Sequence, residues 1–178
     1  QSCISTQRLL VHSSIADQVV SELTAAVNTL VVGDPLDEAT DVSALISTGE
    51  RDRVAEWIGE AKSQGATIAT GGEIGADGVL APTLVVDATP DMKVCELEVF
   101  GPVVAVTRYD EFDEALRLAN DTRYGLQAGV FTSDVSKALK AARTLDFGGV
   151  LINEVPTWRA DQQPYGGLRD SGNTREGP

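Results

Sequence analysis

Positive charge, cysteine, histidine and aromatic side chains are all scarce in this 178-residue sequence. Fourteen Lys and Arg stand against 27 Asp and Glu, a formal net charge of −13. Contacts to phosphate need clustered basic residues, so neither nucleic acid nor an anionic membrane is expected as a partner. The acidity itself reads as solubility. No apolar run approaches the ~18 residues of a membrane span, and no signal-peptide pattern opens the chain. The two cysteines, Cys3 and Cys95, make no disulfide framework. The reducing cytosol is therefore the default compartment, and a cytoplasmic protein is expected. No Gly-rich nucleotide loop is present, no metal site is read from the residues, and the one histidine is His12.

What is there is ordinary for a globular domain, with 42% hydrophobic and 23% charged residues. The length fits one domain that buries about two-thirds of its unfolded surface. Strand and helix patterns alternate. Leu9 to His12 reads as a strand, and Ser14 to Val27 as a helix capped by Ser13 or Ser14 with Ile15, Val19, Leu23 and Val27 on one face. A second helix opens near Thr48 and stops at Gly65. Short extended segments follow at Ala66–Ala69 and Pro82–Val86. Val103 to Tyr109 alternates little and is expected to be buried on both faces. A helix over Phe112–Asn120 with Asp110 as its cap, a strand over Gln127–Thr132, a helix over Asp134–Leu145 and a strand over Gly149–Asn153 complete the series. This order predicts an α/β fold of three layers, a largely parallel sheet with helices on both faces. Ligands bind beyond the carboxyl ends of such strands, where Asn153 falls. Gln1 is not Met and both ends are abrupt, so the chain is expected to be an excerpt of a longer polypeptide.

Three groups of residues bear on chemistry. Cys3 stands among Gln1, Ser2, Ser5 and Thr6. It reads either as a small buried hydrophobe or as a nucleophile in a polar setting. Nucleophilic use needs a base, a cation or a helix N-terminus nearby. The nine residues to His12 span about 30 Å when extended, so a Cys–His hydrolase is poorly supported, and His12 reads as a surface or strand-end residue. Cys95 reads as packing. Glu98 and Phe100 lie at i and i+2 before Gly101-Pro102, so an extended segment presents both on one face. A carboxylate can accept from both hydroxyls of a ribose and a ring can pack on a flat heterocycle, although a solvated turn carboxylate gives the same pattern. Arg159 either pairs with Asp161 or binds an anionic group of a substrate. Trp158 is core or the wall of a pocket. The Tyr165-Gly166-Gly167 segment is a turn-rich loop whose glycines allow close backbone approach.

Taken in order, the segments Gln1-Ser2-Cys3-Ile4, Gln7-Arg8, Gly33-Asp34-Pro35, Glu98-Val99-Phe100-Gly101-Pro102-Val103, Asn120 to Phe131, Gly148 to Asn153, and Pro164-Tyr165-Gly166-Gly167 with Ser171-Gly172 resemble the C-terminal catalytic domain of the NAD(P)-dependent aldehyde dehydrogenase superfamily. The resemblance covers essentially the whole chain, so 1–178 is expected to be one catalytic domain. It implies oxidation of a small-molecule aldehyde to a carboxylic acid with NAD or NADP. Cys3 would be the nucleophile, passing through a thiohemiacetal and a thioester, with its backbone N–H half of an oxyanion hole. Glu98 would hold the nicotinamide ribose and Phe100 would pack beside the nicotinamide. Trp158 and Arg159 would bind substrate, in a loop most similar to the lactaldehyde, phosphonoacetaldehyde or non-phosphorylating glyceraldehyde-3-phosphate branch. A homodimer or homotetramer is implied for the full-length protein.

The same resemblance implies that the cofactor-binding domain, the general-base Glu, the Asn completing the oxyanion hole and the oligomerisation arm are not in this chain, so the 178 residues alone are expected to be inactive. Asn173-Thr174 departs from the family's pattern of an apolar residue followed by Gly. From another class of function, a non-catalytic structural or interaction module of the same fold is the alternative.

Overall fold

A computed structural model describes residues 2–172 and 174–177. Gln1, at the start of the Cys3 segment, and Asn173 lie outside the described residues. The chain divides into two compact units. The first holds residues 7–110 and the second holds 2–6 together with 111–178.

In the first unit, β1 (Arg8–His12) leads into α1 (Ser13–Val27), then α2 (Thr48–Ser63), β2 (Thr67–Thr70), β3 (Thr83–Val86), a short α3 (Lys93–Glu96) and β4 (Val103–Tyr109). The four strands form one sheet in the order β1-β4-β3-β2. β4 pairs in parallel with both β1 and β3, whereas β2 pairs with β3 antiparallel. The reversal follows from the connection. Gly71 and Gly72 turn the chain at positive φ, Ile74 bridges Leu80, and no helix is available to carry a parallel crossover. Alanine at Gly71 would put its Cβ 2.1 Å from the Pro82 carbonyl oxygen.

Side chains of β3 and β4 alternate between two cores. Val85, Val103 and Ala105 pack with Val54, Ile58 and Ala61 of α2, while Leu84, Val86 and Val106 pack with Ala16, Val19 and Leu23 of α1. Helices therefore cover both faces of this largely parallel sheet, and β4 is buried on both sides as its sequence predicts. A fully buried leucine such as Leu84 contributes about 1.5–3 kcal/mol by leaving water. Ser47 caps α2 by accepting from the Glu50 N–H. The cap of α1 differs from expectation. His12, not Ser13 or Ser14, is the cap, and its Nδ1 accepts from the Ser14 N–H at 3.1 Å.

In the second unit, α4 (Phe112–Asn120), β5 (Gln127–Val130), α5 (Val135–Thr144) and β6 (Gly149–Ile152) follow in turn. β5 and β6 form a separate two-stranded parallel sheet. α4 and α5 pack together over Ala128, Val130 and Val150, with Leu116, Ala141 and Leu145 at the centre. The residue capping α4 is Glu111 rather than Asp110, and it makes no side-chain cap hydrogen bond. Asp134 does cap α5, accepting from the N–H groups of Ser136 and Lys137. Asn153 closes the carboxyl ends of β5 and β6. Its N–H donates to the Val130 carbonyl at 2.7 Å, and its Oδ1 accepts from the Thr132 N–H at 2.8 Å. It does so at φ +57°, a conformation asparagine tolerates better than most residues.

Candidate active site

The first cluster lies in the second unit and is built on a turn. The Ser5 N–H donates to the Ser2 carbonyl at 3.0 Å, and the Ser2 N–H donates back to Ser5 Oγ at 3.2 Å. Cys3 therefore sits at the turn's apex, exposed and with a free thiol. Among the described residues its backbone N–H has no acceptor. The Cys3 sulfur lies 3.0 Å from the hydroxyl of Tyr165. Burial, reinforced by that hydrogen bond, pushes the Tyr165 phenol up to about 12; Arg159 opposes the shift and Glu176 adds to it. The phenol thus stays protonated at neutral pH and donates whenever the sulfur is charged.

Tyr165 is held by its own backbone, which exchanges two hydrogen bonds with Glu176 at 2.8 and 2.6 Å. The Arg159 guanidinium stacks over its ring, 4.6 Å from the centroid. Arg159 forms no ion pair with Asp161 or with any other described residue. One phenol therefore carries a thiol at its hydroxyl and a cation on its face. Trp158 is 46% exposed on the same loop, where its backbone N–H closes a turn to the Val155 carbonyl. It is not a core residue. The glycine pattern after Tyr165 has a steric cause. A Cβ on Gly148 would fall 1.6 Å from the Gly166 carbonyl oxygen, and one on Gly166 would fall 2.0 Å from that of Thr174.

The second cluster lies in the first unit. Glu98 and Phe100 are both exposed, Phe100 by 48%, while Val99 between them is buried. Both side chains are open to solvent, but the segment is not the simple extended one assumed from the sequence, because Phe100 leaves that conformation. The Glu98 carboxylate accepts no hydrogen bond from another described residue. Phe100 holds φ +52°, an uncommon conformation for a bulky residue. Its surroundings fix it there. Gln7 donates from Nε2 to the carbonyls of Val94 (3.0 Å) and Leu97 (2.6 Å) and accepts at Oε1 from the Val99 N–H (2.9 Å). On the other side Arg53 donates to the Val99 carbonyl at 2.9 Å, while also pairing with Glu50 and stacking on Trp57.

The remaining candidates have structural roles. His12 caps α1 and meets the Tyr109 ring edge-on at 5.4 Å. Cys95 is buried, and that burial pushes its thiol up from the ordinary range, which suits packing rather than attack. Tyr165 and Gln7 were visible only as members of motifs. Nothing in their local pattern tells that one reaches a sulfur 162 positions away or that the other binds three backbone groups about 90 positions away. Among the described residues no group of three or more His, Cys, Asp or Glu could hold a metal ion, and no helix is long and apolar enough to cross a membrane.

A family model described as the aldehyde dehydrogenase family matches residues 1–178. The chain is 48% identical over 179 residues to a 3-sulfolactaldehyde dehydrogenase of Priestia aryabhattai, covering 100% of this chain and 37% of that protein. It is 41% identical over 177 residues to a lactaldehyde dehydrogenase of Methanococcus aeolicus, covering 99% and 38%. Among solved structures, the glyceraldehyde-3-phosphate dehydrogenase GapN of Methanocaldococcus jannaschii, complexed with NADP, superposes with a TM-score of 0.93 at 39% identity, covering 99% of this chain and 38% of that one. The chain thus spans little more than a third of the length of the relatives it matches.

Proposed function

The chain belongs to the aldehyde dehydrogenase family, and on that premise we propose that it supplies the catalytic domain of an enzyme that oxidises a short, polar aldehyde to its carboxylic acid with NAD or NADP. The observation that carries the reading is the exposed Cys3 sulfur, hydrogen-bonded to Tyr165 with Arg159 stacked on the same ring. In this mechanism the Cys3 sulfur adds to the aldehyde carbon and forms a thiohemiacetal. The oxygen that becomes negative in that step needs donors, and the unengaged N–H of Cys3 is one. Loss of hydride from the same carbon leaves a thioester on Cys3. Water then hydrolyses it, releasing the acid and restoring the thiol. The reaction also needs a general base for these proton transfers, a second oxyanion donor and a cofactor-binding domain, for which none of these residues is proposed.

The residues present fit a nicotinamide cofactor. The Glu98 carboxylate has free acceptor capacity for the two hydroxyls of a ribose, and the exposed ring of Phe100 offers a flat apolar surface to a heterocycle. NAD or NADP, when bound, supplies the hydride acceptor. Glu98 would hold its ribose and Phe100 would flank its nicotinamide.

Two observations support the substrate class. Among the described residues Arg159 has no carboxylate partner, and its guanidinium and the Cys3 sulfur both meet Tyr165, one at the ring face and the other at the hydroxyl. A substrate with an anionic or strongly polar end on Arg159 and its carbonyl at Cys3 fits that arrangement, with Trp158 walling the entrance. The relatives are named for lactaldehyde and sulfolactaldehyde oxidation, and aldehydes of that kind are the proposed class. A homodimer or homotetramer is the proposed state of the full-length protein. The compartment proposed is the cytoplasm.

The test is turnover of the full-length protein on short hydroxy-, phospho- and sulfo-aldehydes with each cofactor, beside Cys3→Ala. Oxidation by the parent and none by the variant is expected. Undiminished oxidation by Cys3→Ala would remove the thiol from the mechanism, and inactivity of the parent on the whole panel would leave the non-catalytic module standing.

A further inference from the structure

Gln7 contributes no atom to either proposed ligand, yet its side chain binds three backbone groups of the segment that runs from α3 toward β4. Its amide N–H groups reach the carbonyls of Val94 and Leu97, and its oxygen takes the N–H of Val99. The amide is part-buried, and Gln7 is itself anchored by main chain, since its carbonyl accepts from the Ala105 N–H at 2.8 Å. Because Val99 stands between Glu98 and Phe100, fixing its N–H fixes the peptide plane that joins it to Glu98. Arg53 fixes the following plane through the Val99 carbonyl. The directions in which the carboxylate and the ring project are therefore set by hydrogen bonds that neither side chain makes. The left-handed backbone at Phe100 would relax if those bonds were lost.

We infer that Gln7 is the positioning residue of the nicotinamide clasp: its amide holds Glu98 and Phe100 in the orientation that binds the cofactor. The inference rests on the function proposed above. Glutamine suits the task because it alone pairs two donors and an acceptor on a neutral stem of this length. A glutamate could accept from Val99 but would turn lone pairs toward the Val94 and Leu97 carbonyls.

The experiment compares the full-length enzyme with its Gln7→Met and Gln7→Asn variants. Methionine keeps the length and removes all three bonds. Asparagine keeps the amide but draws it back by one methylene. Three readouts are taken: the KM for the dinucleotide, the KM for the aldehyde, and acyl transfer to Cys3 from p-nitrophenyl acetate, which uses the thiol and water but no hydride acceptor. Gln7→Met is expected to raise the dinucleotide KM about tenfold, equivalent to about 1.4 kcal/mol. The aldehyde KM and p-nitrophenolate release should stay within about twofold, a tolerance of less than 0.5 kcal/mol. Gln7→Asn should move the same parameter in the same direction by less, and it decides the matter if the methionine variant does not fold. Unchanged dinucleotide KM in a folded variant overturns the inference, as does a parallel fall in hydride transfer and acyl transfer, which marks a merely structural amide. A parent enzyme without NAD(P)-linked activity overturns the functional reading instead.

Discussion

Tyr165 shows how one side chain joins a cation and an exposed thiol. Its hydroxyl meets the Cys3 sulfur and its face carries Arg159. The raised phenol has a measurable signature. A folded-state value of about 12 against an ordinary 10 means that the unfolded chain ionises first as pH rises. The stabilisation is thus complete below pH 10 and disappears as pH climbs toward 12. Tyr165→Phe abolishes this titration while keeping the ring for Arg159. The stability gap between parent and variant, followed by urea midpoints, should therefore narrow across that window. A gap that stays constant would mean that the phenol is not held as described. Tyr109, which burial also pushes up, titrates in both proteins and cancels. Of the residues read from sequence, Cys3, Glu98 and Phe100 are exposed in the fold, which leaves their proposed roles open to the tests above; the clue that singled them out lies within a few positions of each. Arg159 was legible only as a choice between Asp161 and a ligand; the structure replaces the first option with an aromatic face.

Element boundaries were legible to within a few residues wherever periodicity or a turn signal was strong. α1, α2, β4 and α5 begin and end close to their predicted limits because apolar spacing and a capping side chain act locally. The caps themselves were less so. His12 rather than a serine starts α1, since its ring, fixed at the strand end against Tyr109, already points an acceptor at Ser14. The antiparallel β2 escaped prediction because direction is decided by what the connection contains, not by the strand. The most constraining element contact joins two glycines. Gly148, just before β6, passes so close to Gly166 that a methyl group has no room. Gly148→Ala should cost about 3 kcal/mol or more, at the upper end of overpacking effects. Thermal or urea denaturation would reveal it, and a variant as stable as the parent would show that the two loops can part.

At the scale of the whole molecule, alternating strands and helices were enough to predict the α/β class, and helices do cover both faces of the larger sheet. The separation of β5 and β6 into a second sheet was not legible, because pairing partners far apart in sequence leave no local pattern. The 178 residues hold the Cys3 thiol, the carboxylate proposed to clasp a ribose and the arginine proposed to take an anionic group, and the proposed reaction also needs a base and a dinucleotide domain, for which none of these residues is proposed. The purified 178-residue chain should therefore show no NAD(P)-linked aldehyde oxidation, and a clear rate of coenzyme reduction above a Cys3→Ala control would refute this. The second unit has one more property with a consequence in time. It enlists residues 2–6 from the start of the sequence and Tyr165 from near its end. During translation the sulfur leaves the ribosome long before its phenol partner exists, and it waits through the synthesis of the intervening 161 residues with no hydroxyl to hold it. The Cys3–Tyr165 pair is a late product of chain growth, so a half-made polypeptide carries the exposed thiol without the phenol that meets it in the finished fold.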